Sequence, residues 1–183
     1  MKKNKILWSI LTVFFCFDAY LGWYFASYYI PKFAPKEGHA VVVDQIVVEK
    51  SLRKMTLFSG NKVVAVYDVS LGSNPVGNKM QTGDGKTPEG TYAIVDKHKD
   101  SENLYAIQIS YPSKKDVIDA RNRRVELSES IYIHGYPCVY PDWMGNMFLH
   151  GKDWTDGSIG LKNNEIEELW SYTQIGTKIN IVP

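Results

Sequence analysis

Two residues in the last third of the chain have side chains suited to nucleophilic catalysis. Ser158 lies within residues 153–161, and His134 lies upstream, directly before a glycine. Attack on an amide needs a nucleophile, a base that takes its proton, and donors for the oxyanion. Ser158 can serve as the nucleophile and His134 as the base. Backbone N–H groups around Asp156, Gly157 and Ser158 can serve as the oxyanion donors, because glycine permits unusual backbone angles.

Further side chains near these two segments are candidates for lining a cleft. They are Gly135, Tyr136, His150 and Trp154. The aromatic residues around His134, which also include Tyr132, Tyr140 and Trp143, form either a groove for a glycan or peptide or packing at a rim. His150 is a candidate for lining the cleft or for orienting the loop that follows it. The alternative is a purely structural role in its own loop.

Three further residues, Cys138, Asp84 and Glu89, each have a chemical and a structural interpretation. Cys138 follows His134 by four residues and is either a substitute nucleophile or a small buried hydrophobe. Asp84 and Glu89 either act as acids or fix turns by accepting backbone hydrogen bonds. Four scattered histidines with one cysteine in this region do not form a zinc ligand set, so we expect no metal and no cofactor.

The elements that must position these residues are predominantly β-strands. Alternating or β-branched runs predict strands over residues 41–48, 55–58, 62–69, 90–95, 104–110, 130–134 and 178–182. A Gly-Asn pair at residues 60–61 predicts a hairpin turn, and the glycines and prolines of residues 73–89 predict a long irregular loop. The pattern predicts a mainly-β sandwich or barrel with one or two packed helices.

Two helices are predicted, over residues 114–124 and 165–173. In the second, Asn164 is the predicted N-cap and Glu167 its capping-box partner. Ile166, Leu169 and Trp170 are spaced to face the core.

The N-terminal region predicts a membrane anchor. Residues 6–31 are almost entirely apolar and follow three lysines. At ~1.5 Å per residue this run crosses a ~30 Å hydrocarbon core. The lysines predict a cytoplasmic N-terminus and a domain that faces the periplasm or cell envelope. A cleaved signal peptide is the alternative. The predicted organisation is an anchor over residues 1–31, a linker over 32–39 and a catalytic domain over 40–183.

The charge of the chain argues against one class of partner. With 21 basic and 20 acidic residues, the formal charge is +1. We therefore expect no nucleic acid as a partner, because such binding normally depends on a strongly basic surface.

Three ordered motifs resemble the YkuD-type L,D-transpeptidase family. Residues 83–92 resemble its G-D-x-x-T-P-E-G-x-Y segment, and residues 134–135 resemble its H-G segment. Residues 153–160 resemble the D-W-T-D-G-C-I-A nucleophile segment of one branch, and residues 69–79 and 161–170 fit that branch too. The resemblance extends from about residue 45 to the C-terminus. Gly160 stands where many members carry arginine, but this branch has a small residue there.

The resemblance implies an L,D-transpeptidase-like β-sandwich that acts on peptidoglycan stem peptides. Such enzymes attack the carbonyl at the L-centre of the third stem residue, release the terminal D-amino acid, and pass the acyl group to an amine or to water. The family has a cysteine where this chain has Ser158. A thiol of pKa ~8.5 becomes a thiolate beside a histidine. A hydroxyl needs an aligned base and a third group that fixes the histidine tautomer, and the sequence does not identify that group.

Three interpretations of Ser158 remain open: a weak or retuned nucleophile, an introduced inactivating substitution, or a natural loss of activity. They lead to three functions: a peptidoglycan transpeptidase or hydrolase, a non-catalytic peptidoglycan-binding or regulatory protein, or a serine-based envelope amidase or esterase.

Overall fold

The computed structural model describes residues 41–99, 105–127 and 130–183. The predicted anchor over residues 6–31 and the predicted linker lie outside these residues. In the part of the chain that is described, no helix combines the length and the apolar character that crossing a membrane requires.

Eight strands form one sheet in the order β3-β2-β1-β8-β4-β5-β6-β7. Their bounds are β1 Gln45–Glu49, β2 Lys54–Ser59, β3 Lys62–Asp68, β4 Gly90–His98, β5 Ala106–Ile109, β6 Tyr132–His134, β7 Ile159–Gly160 and β8 Lys178–Val182. The mainly-β class with few helices is confirmed, and the strands join in a single curled sheet.

The first half of the sheet forms because its strands alternate apolar and polar residues. Ile46 of β1, Leu57 of β2 and Ile179 of β8 are fully buried, and their neighbours along each strand are half-buried or exposed. One face therefore carries the core, as a period of two requires. The predicted hairpin between β2 and β3 is confirmed, with Gly60 at φ 58° in its two-residue turn.

The second half of the sheet carries the candidate site. β6 pairs antiparallel with β5 and parallel with β7, with Ile133 opposite Ile159 and His134 opposite Gly160. Ile133 and Ile159 are both fully buried. Because side chains alternate along a strand, the residues on either side of these isoleucines point away from the core.

Among the described residues, three helices pack around the sheet: α1 Lys114–Arg123, α2 Asp142–Phe148 and α3 Asn163–Tyr172. The start of α1 is a capping box between Ser113 and Asp116. α2 was not predicted, since its seven residues are too short to show a helical period and most of them are exposed.

The predicted cap of α3 is wrong by two residues. The N-cap is Lys162 and not Asn164, and Glu165, not Glu167, reaches back to the backbone N–H of Lys162. Asparagine is a usual N-cap residue and lysine is not, so the local sequence favoured Asn164. Ile166 and Leu169 are completely buried, as predicted.

The long loop before β4 is held by a buried lysine. The Lys50 ammonium donates to the carbonyl oxygens of Gly77 (2.6 Å) and Thr87 (2.9 Å) and to the Glu89 carboxylate (2.9 Å). Only 3% of the Lys50 side chain is exposed. The loop is therefore an ordered wall rather than a loose connection, and Glu89 serves to fix it.

Candidate active site

Ser158 and His134 lie on the same face of the sheet. The parallel register places Ser158 beside Tyr132, whose backbone N–H donates to Ser158 Oγ at 3.2 Å. His134 is two residues further along β6, so it is the diagonal neighbour of Ser158 and within reach of a ring side chain. Both residues are half-buried. The fold thus places the predicted nucleophile and the predicted base on the same face of adjoining segments, where both are accessible.

The third group that orients the histidine is a backbone carbonyl. His134 Nδ1 lies 2.8 Å from the carbonyl oxygen of Gly135. Because a carbonyl only accepts, Nδ1 carries the proton and Nε2 is left as the basic nitrogen. The sequence could not identify this partner, since every residue has a carbonyl and only the backbone conformation aims it.

Trp154 forms one side wall of the site. Its ring meets the His134 ring edge-on at a centroid distance of 5.5 Å and lies 6.4 Å from the Tyr136 ring. It also covers Gly160, where an added Cβ would lie 2.8 Å from the indole. The small residue at Gly160 therefore leaves room for the tryptophan.

The turn that presents Ser158 is built around Gly157 and Thr155. Gly157 has φ 128°, and a Cβ there would lie 2.6 Å from the carbonyl oxygen of Lys86. Thr155 Oγ1 donates to the carbonyl of Ser158 at 2.6 Å and accepts from the Gly157 N–H at 3.2 Å. The Gly157 N–H, predicted as an oxyanion donor, is therefore used inside the turn. The N–H groups of Asp156 and Ser158 remain the candidates.

Asp153 holds the start of the nucleophile loop, residues 153–161, in place through two hydrogen-bonded contacts. Its Oδ1 accepts the N–H of Leu71 at 3.0 Å, and its Oδ2 accepts from Arg53 Nη2 at 2.9 Å. A backbone bond from Ser73 N–H to the Thr155 carbonyl continues this contact. The loop before β4 and the nucleophile loop are therefore positioned together.

A buried ion pair lies within the loop before β4. Lys79 Nζ is 2.9 Å from Asp84 Oδ1, and the exposed fractions of the two side chains are 0% and 10%. Burial opposes ionisation of Asp84, but the Met80 N–H, the Lys79 ammonium and the Lys86 N–H together hold its pKa below the ordinary value. Asp84 therefore fixes a turn, which is one of the two roles predicted for it.

The remaining predicted residues divide between the site and the surrounding structure. Tyr136 is buried, its hydroxyl donates to Asn146, and burial with nearby Glu165 and Asp142 raises its pKa to about 12. It therefore packs the wall behind Trp154 instead of lining an open groove. Asp156 is exposed and lines a shallow polar depression with residues of the loop before β4.

Two predictions in the segment after β6 concern exposed residues. Cys138 is exposed, so its interpretation as a buried hydrophobe is wrong. It lies on a segment between Pro137 and α2 whose side chains are largely solvated, and burial was not needed there. His150 is also exposed, and its N–H donates to the Gly145 carbonyl at the end of α2.

The sheet face that carries Ser158 extends further than the sequence indicated. In register, Tyr132 is opposite Gln108 of β5, which is opposite Asp96 of β4. The His98 ring meets the Tyr132 ring edge-on at 5.8 Å, and His98 pairs with Asp96 at 3.0 Å. Only strand register places these polar residues beside the site.

Within the described residues, no three histidine, cysteine or acidic side chains converge as a metal site would require.

A model of the YkuD L,D-transpeptidase catalytic domain matches residues 43–181. This match includes the whole candidate site and every described strand except the last residue of β8. A comparison with curated proteins gave no match.

Solved structures of similar fold come from several bacteria. The helical cell shape determining protein Pgp2 from Campylobacter jejuni has a TM-score of 0.59 at 21% identity, over 76% of this chain and 47% of that one. Bdellovibrio bacteriovorus Bd1075 has a TM-score of 0.55 at 24% identity, over 80% and 50%. An L,D-transpeptidase from Mycobacterium smegmatis has a TM-score of 0.50 at 14% identity, over 76% and 58%. The chain thus spans about half the length of these structures, and the likeness supports the fold.

Proposed function

Because the chain belongs to the YkuD L,D-transpeptidase catalytic-domain family, we propose that it acts on stem-peptide amide bonds of peptidoglycan, with Ser158 as nucleophile. The proposal is carried by the placement of Ser158 and His134 on one sheet face, with His134 Nδ1 held by the Gly135 carbonyl at 2.8 Å. This arrangement places the ring proton on Nδ1 and makes Nε2 the basic nitrogen.

In the proposed reaction, Ser158 Oγ attacks the carbonyl carbon and its proton passes to His134 Nε2. The negative charge that develops on the carbonyl oxygen is stabilised by the N–H groups of Asp156 and Ser158. The tetrahedral intermediate then collapses, and His134 returns the proton to the departing amine. The resulting ester is resolved by an acceptor amine or by water, which restores the hydroxyl.

The N–H of Tyr132 favours this step. It donates to Ser158 Oγ at 3.2 Å, and a donor of this kind binds an anionic oxygen or sulfur more strongly than a neutral one. A thiol would gain more from it than a hydroxyl, since a thiol loses its proton near neutral pH. We therefore expect Ser158→Cys to be the more reactive form.

The test uses the full-length chain in detergent, as the native protein and as Ser158→Cys and Ser158→Ala. Each is incubated with muropeptides that carry tetrapeptides, and covalent adducts and products are followed by mass spectrometry. We expect an acyl-enzyme and altered muropeptides with Ser158→Cys, slower turnover with the native protein, and neither with Ser158→Ala. If neither the native protein nor Ser158→Cys reacts, the enzymatic proposal fails.

The hydroxyl at position 158 supports a second candidate, a peptidoglycan-binding or regulatory protein without turnover. This function predicts that isolated sacculi retain the native protein and Ser158→Ala equally. A serine amidase or esterase of the envelope is the third candidate. It predicts that a serine-reactive phosphonate labels Ser158 and that His134→Ala abolishes the labelling.

The same proposal includes a location. Residues 6–31 would anchor the chain in the membrane and leave the catalytic domain in the envelope, where the substrate lies. Partition of the native chain into membranes, compared with a chain that begins at residue 32, tests this part separately.

A further inference from the structure

Lys79 is a buried cation that the proposed reaction does not use. None of its side chain is exposed, and its Nζ lies 2.9 Å from Asp84 Oδ1. Burying an ammonium is costly even when it is paired. Fixing a surface turn does not require a buried ammonium, so the position of Lys79 in the molecule suggests a further role.

That location is directly against the nucleophile turn. A Cβ added to Gly157 would lie 3.3 Å from Lys79 Nζ, closer than ordinary contact. Gly157 immediately precedes Ser158, and its lack of a side chain lets the ammonium approach the backbone of the turn. The ammonium is among the three atoms nearest to that point, together with the Lys86 carbonyl oxygen and Ile131 Cδ1.

The negative partner, Asp84, is compensated by backbone donors. Asp84 Oδ2 accepts the N–H groups of Met80 (2.7 Å) and Gln81 (3.2 Å), and Oδ1 accepts the Lys86 N–H (3.0 Å) as well as Lys79. These donors compensate the carboxylate charge locally. Of the two charged groups in this pair, the Lys79 ammonium lies nearer to Gly157, since no Asp84 atom is among the three nearest to the Gly157 Cβ position.

We propose that Lys79 is a positioning residue for the nucleophile: acting through the Gly157 backbone, its ammonium favours negative charge at the side-chain atom of residue 158 and on the adjacent oxyanion. The inference rests on the proposed function only in taking position 158 as the nucleophile. A buried positive charge within a few ångströms stabilises an anion far more than the same charge does in water.

Other charged or titratable groups also face this turn. They are Asp84 and Lys86 from the loop before β4, His134 from β6, and the exposed Asp156 in the turn itself. The Lys86 ammonium is directed to the Val76 carbonyl, so only its backbone carbonyl meets Gly157. Comparing variants with one another removes the constant contributions of these groups.

The test measures the pKa of a thiol introduced by Ser158→Cys in the full-length chain, with Cys16→Ser and Cys138→Ser to remove other thiols. The rate of alkylation by iodoacetamide is followed against pH. We expect Lys79→Met to raise the thiol pKa by about one unit, the low end of the range for a nearby charge because Asp84 offsets part of it. We expect Asp84→Asn to lower the thiol pKa, since it removes the opposing charge.

The opposite signs separate an electrostatic role from a structural one, because a loosened turn would shift the thiol pKa in one direction for both variants. Lys50→Met is the matched control: it also removes a buried lysine with a carboxylate partner, but one that is bonded to Gly77, Thr87 and Glu89. We expect it to leave the thiol pKa unchanged, and Lys79→Arg to keep it near the parent value.

An unchanged thiol pKa in Lys79→Met, or a shift in the same direction in both variants, overturns the inference. If Lys79→Met does not fold by circular dichroism, Asp84→Asn decides alone: a lowered thiol pKa supports the inference, and an unchanged or raised one overturns it. No turnover of peptidoglycan is needed. Unchanged muropeptides with the expected thiol shifts would therefore count against the proposed function and not against the role of Lys79.

Discussion

His134 Nδ1 lies 2.8 Å from the carbonyl oxygen of Gly135, its own neighbour in the chain. The histidine is therefore oriented by the backbone, and no side-chain carboxylate is needed to fix its tautomer. Gly135 is buried, and a Cβ there would lie 2.3 Å from Asn163 Oδ1, which also accepts the Tyr136 N–H at 2.8 Å. The start of α3 thus holds the segment that orients the base.

His134→Gln should slow acylation in the Ser158→Cys protein by about 10²–10⁴-fold, the usual contribution of a general base. The rate of acyl-enzyme formation with tetrapeptide muropeptides, measured by mass spectrometry, checks this. His98→Gln is the control, because His98 lies on the same sheet face and contacts Tyr132 without adjoining Ser158. Equal rates for the parent and His134→Gln would contradict the assigned role.

Gly157→Ala should destabilise the fold and abolish acylation. Its φ of 128° is unfavourable for alanine, and the new Cβ would lie 2.6 Å from the Lys86 carbonyl oxygen. Strain of this kind costs about 1–3 kcal/mol in the free energy of unfolding, measured by urea denaturation. Gly151→Ala is the control: its φ is also positive, at 74°, but nothing lies within 4 Å. If both variants lose the same free energy of unfolding, the close contact between residue 157 and the Lys86 carbonyl is contradicted.

Gly160→Ala should destabilise the protein because its Cβ would lie 2.8 Å from the Trp154 indole. Overpacking of this kind costs about 1–3 kcal/mol. Trp154→Phe removes the clashing atoms, so the double variant should lose less stability than the two single losses combined. A double-mutant cycle by urea denaturation measures this coupling. If the stability losses of Gly160→Ala and Trp154→Phe simply add, the contact between residue 160 and the Trp154 indole is contradicted.

Asp153→Ala should lower the free energy of unfolding by about 1–3 kcal/mol, because it leaves the Leu71 N–H without its acceptor and removes the partner of Arg53. Asp68→Ala is the control, since the Asp68 and Lys54 side chains are about half exposed. Its loss should stay below about 1 kcal/mol. The assignment of Asp153 as the loop fastener is wrong if the two losses are equal.

Asp84 should give the protein a pH-dependent stability on the acid side. Backbone and Lys79 hydrogen bonds lower its pKa in the folded state, against the effect of burial. A lowered folded pKa contributes stability that is present above the unfolded value, near ~3.9, and is lost as the pH falls through the folded value. The stability advantage of the native chain over Asp84→Asn should therefore shrink below about pH 4. A constant difference between pH 6 and pH 3 would contradict this.

The sequence alone determined seven of the eight described strands, the Gly60 hairpin and the family. Strands alternate buried and solvated residues with a period of two, and this pattern is local. The motif order around His134 and Ser158 is also readable along the chain, so the family assignment did not need coordinates. β7, α2 and the start of α3 were not predicted. β7 and α2 are too short to show a period, and Lys162 is not a residue type that usually caps a helix.

The tertiary structure decided what surrounds the nucleophile. The Gly135 carbonyl, the Tyr132 N–H and the Lys79 ammonium are groups that carry no sequence signal for this role. Backbone groups occur at every residue, and a lysine normally lies in solvent. The Tyr132 N–H reaches Ser158 through a parallel strand pairing, and the Lys79 ammonium reaches the turn before Ser158 through the close approach at Gly157. The Gly135 carbonyl orients His134, the residue before it, because the local backbone conformation directs it to the ring.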